Sequence, residues 1–160
     1  MTGFGRILAD MNRAGVRYVL IGGIALIRHG VVRATADIDA VLDPSEENLE
    51  RLRALISEWA ATRPDGSPVP PDAVAVGRSI HLATPHGDLD FLGERSSPLT
   101  YSELSARADT RRVDGVDAPI CSLADLVALK RLAGRERDLA DLSELESAHG
   151  ELPDSRTESK

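Results

Sequence analysis

Residues 20–39 read LIGGIALIRHGVVRATADID, and the punctuation of this stretch decides the fold. It is entered through an apolar run, Val16, Tyr18, Val19, Leu20 and Ile21, whose composition is that of a strand. The run breaks at Gly22-Gly23, and Ile24, Leu26 and Ile27 then follow at helical spacing. Gly30 closes that short helix, as a residue free to take positive φ does at a helix end. After a polar loop, Asp37-Ile38-Asp39 leads into Ala40-Val41-Leu42, a second strand. Alternation along a strand puts Asp37 and Asp39 on one face and Ile38 and Ala40 on the other.

Two carboxylates this close repel each other and call for a compensating charge. A divalent cation such as Mg2+ (or Mn2+) supplies it, since such ions take oxygen ligands from one or two carboxylates together with phosphate and water. At the Gly-Gly turn, backbone N–H groups are open to a phosphate with no Cβ in the way. Metal ligands beside a phosphate cradle make a nucleoside-triphosphate site. Gly-Gly alone is an ordinary turn, and Asp-x-Asp alone is often a solvated pair. Their ordered combination carries the functional reading.

At 160 residues the chain is long enough for one domain with a real core, expected over residues 1–150, with residues 151–160 a polar, disordered tail. Apolar content of 42% and charged content of 28% are those of a soluble globular protein. No apolar run approaches the ~20 residues of a membrane span, and the N-terminus MTGFGRILADMN has no secretory apolar region, so a cytoplasmic protein without membrane partners is expected. The single Cys121 excludes an internal disulfide and reads as a small packing residue. A net charge of −7 disfavours nucleic-acid binding over the whole surface but leaves room for a local basic channel. Of 19 basic residues only Lys130 and Lys160 are lysines.

Taken in order, residues 3–14 form an amphipathic helix through Phe4, Ile7, Leu8 and Met11, ended by Gly15. Ser45 opens a helix whose apolar face is Leu49, Leu52, Leu55, Ile56 and Trp59. Residues 61–72 are a Pro/Gly-rich surface loop, and 73–76 read as a brief strand. Residues 79–84 and 88–92 pair as a hairpin around Pro85-His86-Gly87. A short helix over 101–108 precedes a second hairpin turning at Asp114-Gly115. Ser122 and Asp125 resemble a capping box that opens a helix with Leu123, Leu126, Val127 and Leu129 on its core face, terminated by Gly134. A last helix spans 137–147. Carboxylate-bearing strands with interleaved helices and a helical end give an α/β (α+β) fold with a mixed sheet flanked by helices.

A two-metal transfer site needs about three carboxylates. The first hairpin carries a second Asp-x-Asp, and Asp90, between Leu89 and Phe91, is preferred to Asp88 as metal ligand or acceptor-side base. Lys130, the interior lysine, lies at the margin of its helix's apolar stripe, where its stem rests on apolar surface and its ammonium reaches a cleft. Asp138 and Asp141, at i, i+3, hold it there if the last helix folds back at Gly134. Arg137 and Asp141 are also spaced for a modest surface pair.

Gly22-Gly23, Asp37-x-Asp39, a later strand Asp and Lys130 followed by Arg137-Asp138-Leu-Ala-Asp141 resemble the polymerase-β-type minimal nucleotidyltransferases, and within them the AbiEii-like toxin nucleotidyltransferases, over about residues 4–148. The resemblance implies a nucleotidyltransferase-like fold and magnesium-dependent transfer of a nucleotide from an NTP. Gly22 and Gly23 would bind triphosphate, Asp37 and Asp39 (with Asp90) the metal, and Lys130 phosphate, with Asp138 or Asp141 orienting the lysine. The second glycine stands where many superfamily members carry Ser, and the chain is shorter than full toxins of this type. The implied acceptor is an RNA end, such as tRNA, or a protein, in a toxin–antitoxin setting with a cognate protein partner. The competing readings are a nucleotidyltransferase antitoxin that modifies a toxin, and a non-catalytic NTP- or metal-binding module.

Overall fold

The computed structural model describes residues 2–154. Of the expected tail, residues 155–160 lie outside the described residues. Within 151–154, Leu152 packs against the core and Pro153 O accepts a hydrogen bond from Arg131 Nη1 at 3.1 Å.

The elements run α1 (Gly3–Arg13), β1 (Tyr18–Ile21), α2 (Gly22–Arg28), β2 (Asp37–Leu42), α3 (Glu46–Glu58), β3 (Ile80–Thr84), β4 (Gly87–Leu92), α4 (Tyr101–Arg107), β5 (Asp109–Val113), β6 (Val116–Ile120), α5 (Leu123–Ala133) and α6 (Glu136–His149). The six strands form one mixed sheet in the order β3-β4-β2-β1-β6-β5. β1 is antiparallel to β2 and parallel to β6, β2 is parallel to β4, and the two hairpins β3–β4 and β5–β6 close the edges. This is the mixed α/β sheet with flanking helices that the sequence implies. No helix among the described residues is long and apolar enough to cross a membrane.

Central strands are buried on both faces. Ile38 and Ala40 of β2 are fully buried, and so is Val41 on the face that carries the aspartates. α1 packs on β4, β6 and α3, while α2 and α4 pack on β1. Ser45 Oγ caps α3 by accepting from the Asn48 N–H. The Asn48 side chain, fully buried, accepts from Arg17 N–H and donates to the carbonyls of Arg17 and Asp43, so a polar group in the core is completely bonded. Trp59 is core, and its Nε1 donates to Asp10 Oδ2 at 2.9 Å. Cys121 is buried, which pushes its thiol up to about 12 and leaves it an inert packing group.

Three local expectations change. Residues 73–76 form no strand: Pro70-Pro71 fixes φ, and residues 71–73 make a single 3-10 turn. The capping box at Ser122 is half made. Its hydroxyl accepts from Asp125 N–H, but the Asp125 carboxylate turns to the Arg107 guanidinium at 3.0 Å instead of to the cap backbone. Asp141 does not take up the spacing to Arg137, because its two oxygens go to Arg33 and Lys130.

Candidate active site

Asp39 sits where three strands meet. It opposes Ile21 of β1 on one side and Asp90 of β4 on the other, and Asp37 opposes Asp88 in the same register. Because β2 and β4 are parallel and unshifted, Asp37, Asp39, Asp88 and Asp90 all stand on one face. Asp88 is exposed, whereas Asp90 is half-buried beside Asp39.

The electrostatics report the crowding. The Asp39 carboxyl is held above the usual carboxylate range, first by burial and then by the neighbouring Asp90 charge. Asp37 adds to this, against a hydrogen bond from the Gly23 backbone N–H and the Lys130 charge. Asp90 is raised by burial and by Asp37, with the imidazole of His81 pulling the other way. His81, opposite Asp90 on β3, places Nε2 at 3.4 Å from Asp90 Oδ1.

Gly22 is required here. Its φ is +63°, and a Cβ would lie 2.3 Å from Asp39 Oδ2. A Cβ on Gly23 would lie 2.6 Å from Thr35 Oγ1. The turn is therefore folded directly onto the metal-ligand candidates, and no side chain fits between.

On the opposite side α5 brings Lys130. Gly134 at φ +60° reverses the chain, and α6 folds back along α5. Lys130 Nζ donates to Asp138 Oδ1 at 3.2 Å and to Asp141 Oδ2 at 2.8 Å. Burial would raise the Asp138 carboxyl, but hydrogen bonds from Arg135 and Lys130 win and hold it at about 2. Between Gly22, α5 and the loop after β4 lies a cavity of about 640 Å3 whose lining includes Ile21, Leu92, Arg95, Leu129, Lys130 and Arg135. Its lining combines apolar side chains with three cations and the Asp138 carboxylate.

The structure thus gathers Gly22, Gly23, Asp37, Asp39 and Asp90 on one side, and Lys130, Asp138 and Asp141 on the other. Sequence reasoning missed Arg33, Arg95 and His81. His81 alternates outward from buried Ile80 and Leu82 on a hairpin partnered with Asp90, and that is a signal the sequence contains.

Among the described residues no three acidic, His or Cys side chains converge closely enough to hold a metal ion by themselves. The donor set nonetheless suits a hard divalent cation: carboxylate oxygens on neighbouring strands, with the Asp39 and Asp90 carboxyls held high partly by like charge. The aspartates would furnish only part of a coordination shell, which ligand oxygens would complete.

A six-stranded mixed sheet with paired aspartates beside a glycine turn is the architecture of a nucleotidyltransferase. Solved structures share the fold. The lincosamide antibiotic adenylyltransferase LnuA in its lincomycin-bound form matches at 15% identity, over 91% of this chain and 96% of that one, with a TM-score of 0.62. A putative nucleotidyltransferase from Thermotoga maritima matches at 16% identity, 89% of each chain and 0.59. An antigenic nucleotidyltransferase-like protein from Paracoccidioides brasiliensis matches at 16%, over 90% and 72%, and 0.61. At these identities the likeness is one of fold. No curated protein matches the chain. The family model described as nucleotidyl transferase AbiEii toxin, type IV toxin–antitoxin system, matches residues 6–158, and the chain belongs to that family of nucleotidyltransferases.

Proposed function

We propose that this enzyme moves an NMP from an NTP to a hydroxyl on an RNA end, such as that of tRNA, with Mg2+ (or Mn2+) held by Asp37, Asp39 and Asp90. The observation that carries the reading is the placement of Asp39 and Asp90 side by side on parallel strands, next to a glycine turn that opens onto a cavity bordered by Lys130.

The donor lies in the cavity, its triphosphate along Gly22, Gly23 and Lys130 and its base against the apolar side chains. The bound cation would neutralise charge developing on the phosphates. The acceptor oxygen attacks the α-phosphorus, the bond to the β-phosphate breaks, and pyrophosphate leaves. Asp90, whose carboxylate burial makes more basic than an ordinary aspartate, accepts the acceptor's proton. Lys130, kept in place by Asp138 and Asp141, meets the departing pyrophosphate as a compact charge. Arg95 and Arg135, which line the cavity, support an anionic acceptor. The setting is a toxin–antitoxin pair, with a cognate antitoxin as protein partner.

The test is incubation with each labelled NTP, magnesium, total tRNA and candidate partner proteins. Label entering tRNA supports the reading, and label entering only a protein replaces the acceptor. No transfer with any of them leaves a binding module. Lys130→Ala should lower NTP affinity or transfer rate at least about tenfold, ~1.4 kcal/mol. Lys130→Arg should rescue only in part.

A further inference from the structure

Lys130 is the cation that the proposed function sets against phosphate, yet two carboxylates already hold it. Asp138 Oδ1 lies 3.2 Å and Asp141 Oδ2 2.8 Å from Nζ, and all three side chains are largely withdrawn from solvent. One positive and two negative charges would together repel a triphosphate. The other oxygen of each carboxylate resolves this. Asp141 Oδ1 accepts from Arg33 Nη1 at 2.7 Å, and Asp138 Oδ2 accepts from Arg135 Nε at 2.6 Å. Three cations then face two anions, and Lys130, in the middle, touches both carboxylates.

Arg135 comes from the turn that starts α6. Arg33 comes from across the site, in the segment between α2 and β2 that leads straight to Asp37, 108 residues from its partner. The same segment lays Thr35 over Gly23 and lets Thr35 Oγ1 donate to the Asp37 carbonyl at 3.1 Å.

Resting on the donor-site reading above, we infer that Arg33 is a positioning residue for donor binding: it shares the Asp141 carboxylate, so that less of the Lys130 charge is offset when Lys130 meets phosphate. Without Arg33, the whole Asp141 charge falls on Lys130, and both side chains are largely withdrawn from solvent, where charges are weakly screened. Arg33 also ties the loop entering Asp37 to α6, and the test separates the two effects.

Binding of each NTP with magnesium is measured by titration calorimetry, with melting temperatures recorded for every variant. Arg33→Met should weaken the NTP that wild type binds best by about fivefold, within the range of coupled charge networks. Arg33→Lys, which keeps the charge and loses the fork, should recover most of it. The deciding variant is Arg33→Met with Asp141→Asn. It makes fewer contacts than Arg33→Met alone, so a tether role makes it worse; a charge role makes it bind more tightly, because the carboxylate that Arg33 offset is gone. If Arg33→Met does not fold, Arg33→Gln takes its place in both comparisons. A double variant no tighter than the single, or wild-type affinity in the single while Lys130→Ala binds weakly, overturns the inference and leaves the donor site standing. Wild-type affinity in Lys130→Ala overturns the donor-site reading and this inference with it.

Discussion

Replacing Asp39 with Asn should abolish nucleotide transfer and make the protein more stable. Asp39 and Asp90 face each other on parallel neighbours about 4.8 Å apart. Two unit charges near 5 Å at an effective dielectric of ~20 repel by roughly 3 kcal/mol. Both groups are partly solvated, so salt and water leave about 1 kcal/mol of that. Asparagine removes the charge, keeps the volume and keeps an oxygen to accept the Gly23 N–H. For a chain of this size ~1 kcal/mol is a rise of about 2–4 °C in melting temperature. The pH dependence fixes the cause. The folded-state value of Asp39 lies above the unfolded value near 3.8, so native wild type holds its proton more tightly and loses stability as pH rises through that window. The variant has no such proton. Its advantage should be full at pH 7 and shrink to nothing as pH falls below about 3.8. Melting curves without metal or nucleotide at both ends of this range are the assay. A variant less stable than wild type at pH 7, or an advantage that persists in acid, would refute the account of the aspartate cluster. Transfer at the wild-type rate would refute the metal assignment.

Asp138→Asn should cost ~2 kcal/mol at pH 7, since the native carboxyl lies at about 2 against 3.8 unfolded. That stability is fully present above 3.8 and is lost as pH falls toward 2, so wild type and variant should converge there in acid-denaturation curves. Gly23→Ser restores a residue frequent in the superfamily but sets a Cβ 2.6 Å from Thr35 Oγ1, so it should destabilise by ~1–2 kcal/mol in urea unfolding. Adding Thr35→Ala should return most of that loss, and additive losses would count against the contact.

Legibility in the sequence follows distance along the chain. β2 is Asp37–Leu42, the span its alternation marks, and the Asp114-Gly115 turn has the positive φ at both residues that a tight hairpin of this kind needs. These features depend on neighbours a few residues away. The choice between Asp88 and Asp90 depends on the register of β4 against β2, which no local pattern encodes. Arg33 was illegible for the same reason: in sequence it is one arginine among 17, and its meaning comes from α6 folding back at Gly134 to put Asp141 within 2.7 Å of it. Residues 73–76 misled because a short apolar run mimics a strand, while residues 71–73, opened by the prolines before them, make a 3-10 turn instead.

The Gly-Gly and Asp-x-Asp elements are best understood as one object. Antiparallel pairing of β1 with β2 sets Ile21 opposite Asp39, so the residue after Ile21 must pass directly over that carboxylate. With a Cβ position 2.3 Å from Asp39 Oδ2 and φ at +63°, only glycine passes. The next residue donates its N–H to the same carboxylate and lies against Thr35, which in turn bonds the Asp37 carbonyl. A side chain at either glycine would therefore displace an aspartate or the loop that delivers it. This is the physical reason why the two glycines and the two aspartates occur together in this chain. The like-charge repulsion between Asp39 and its neighbour Asp90 is what a divalent cation bound beside them would relieve.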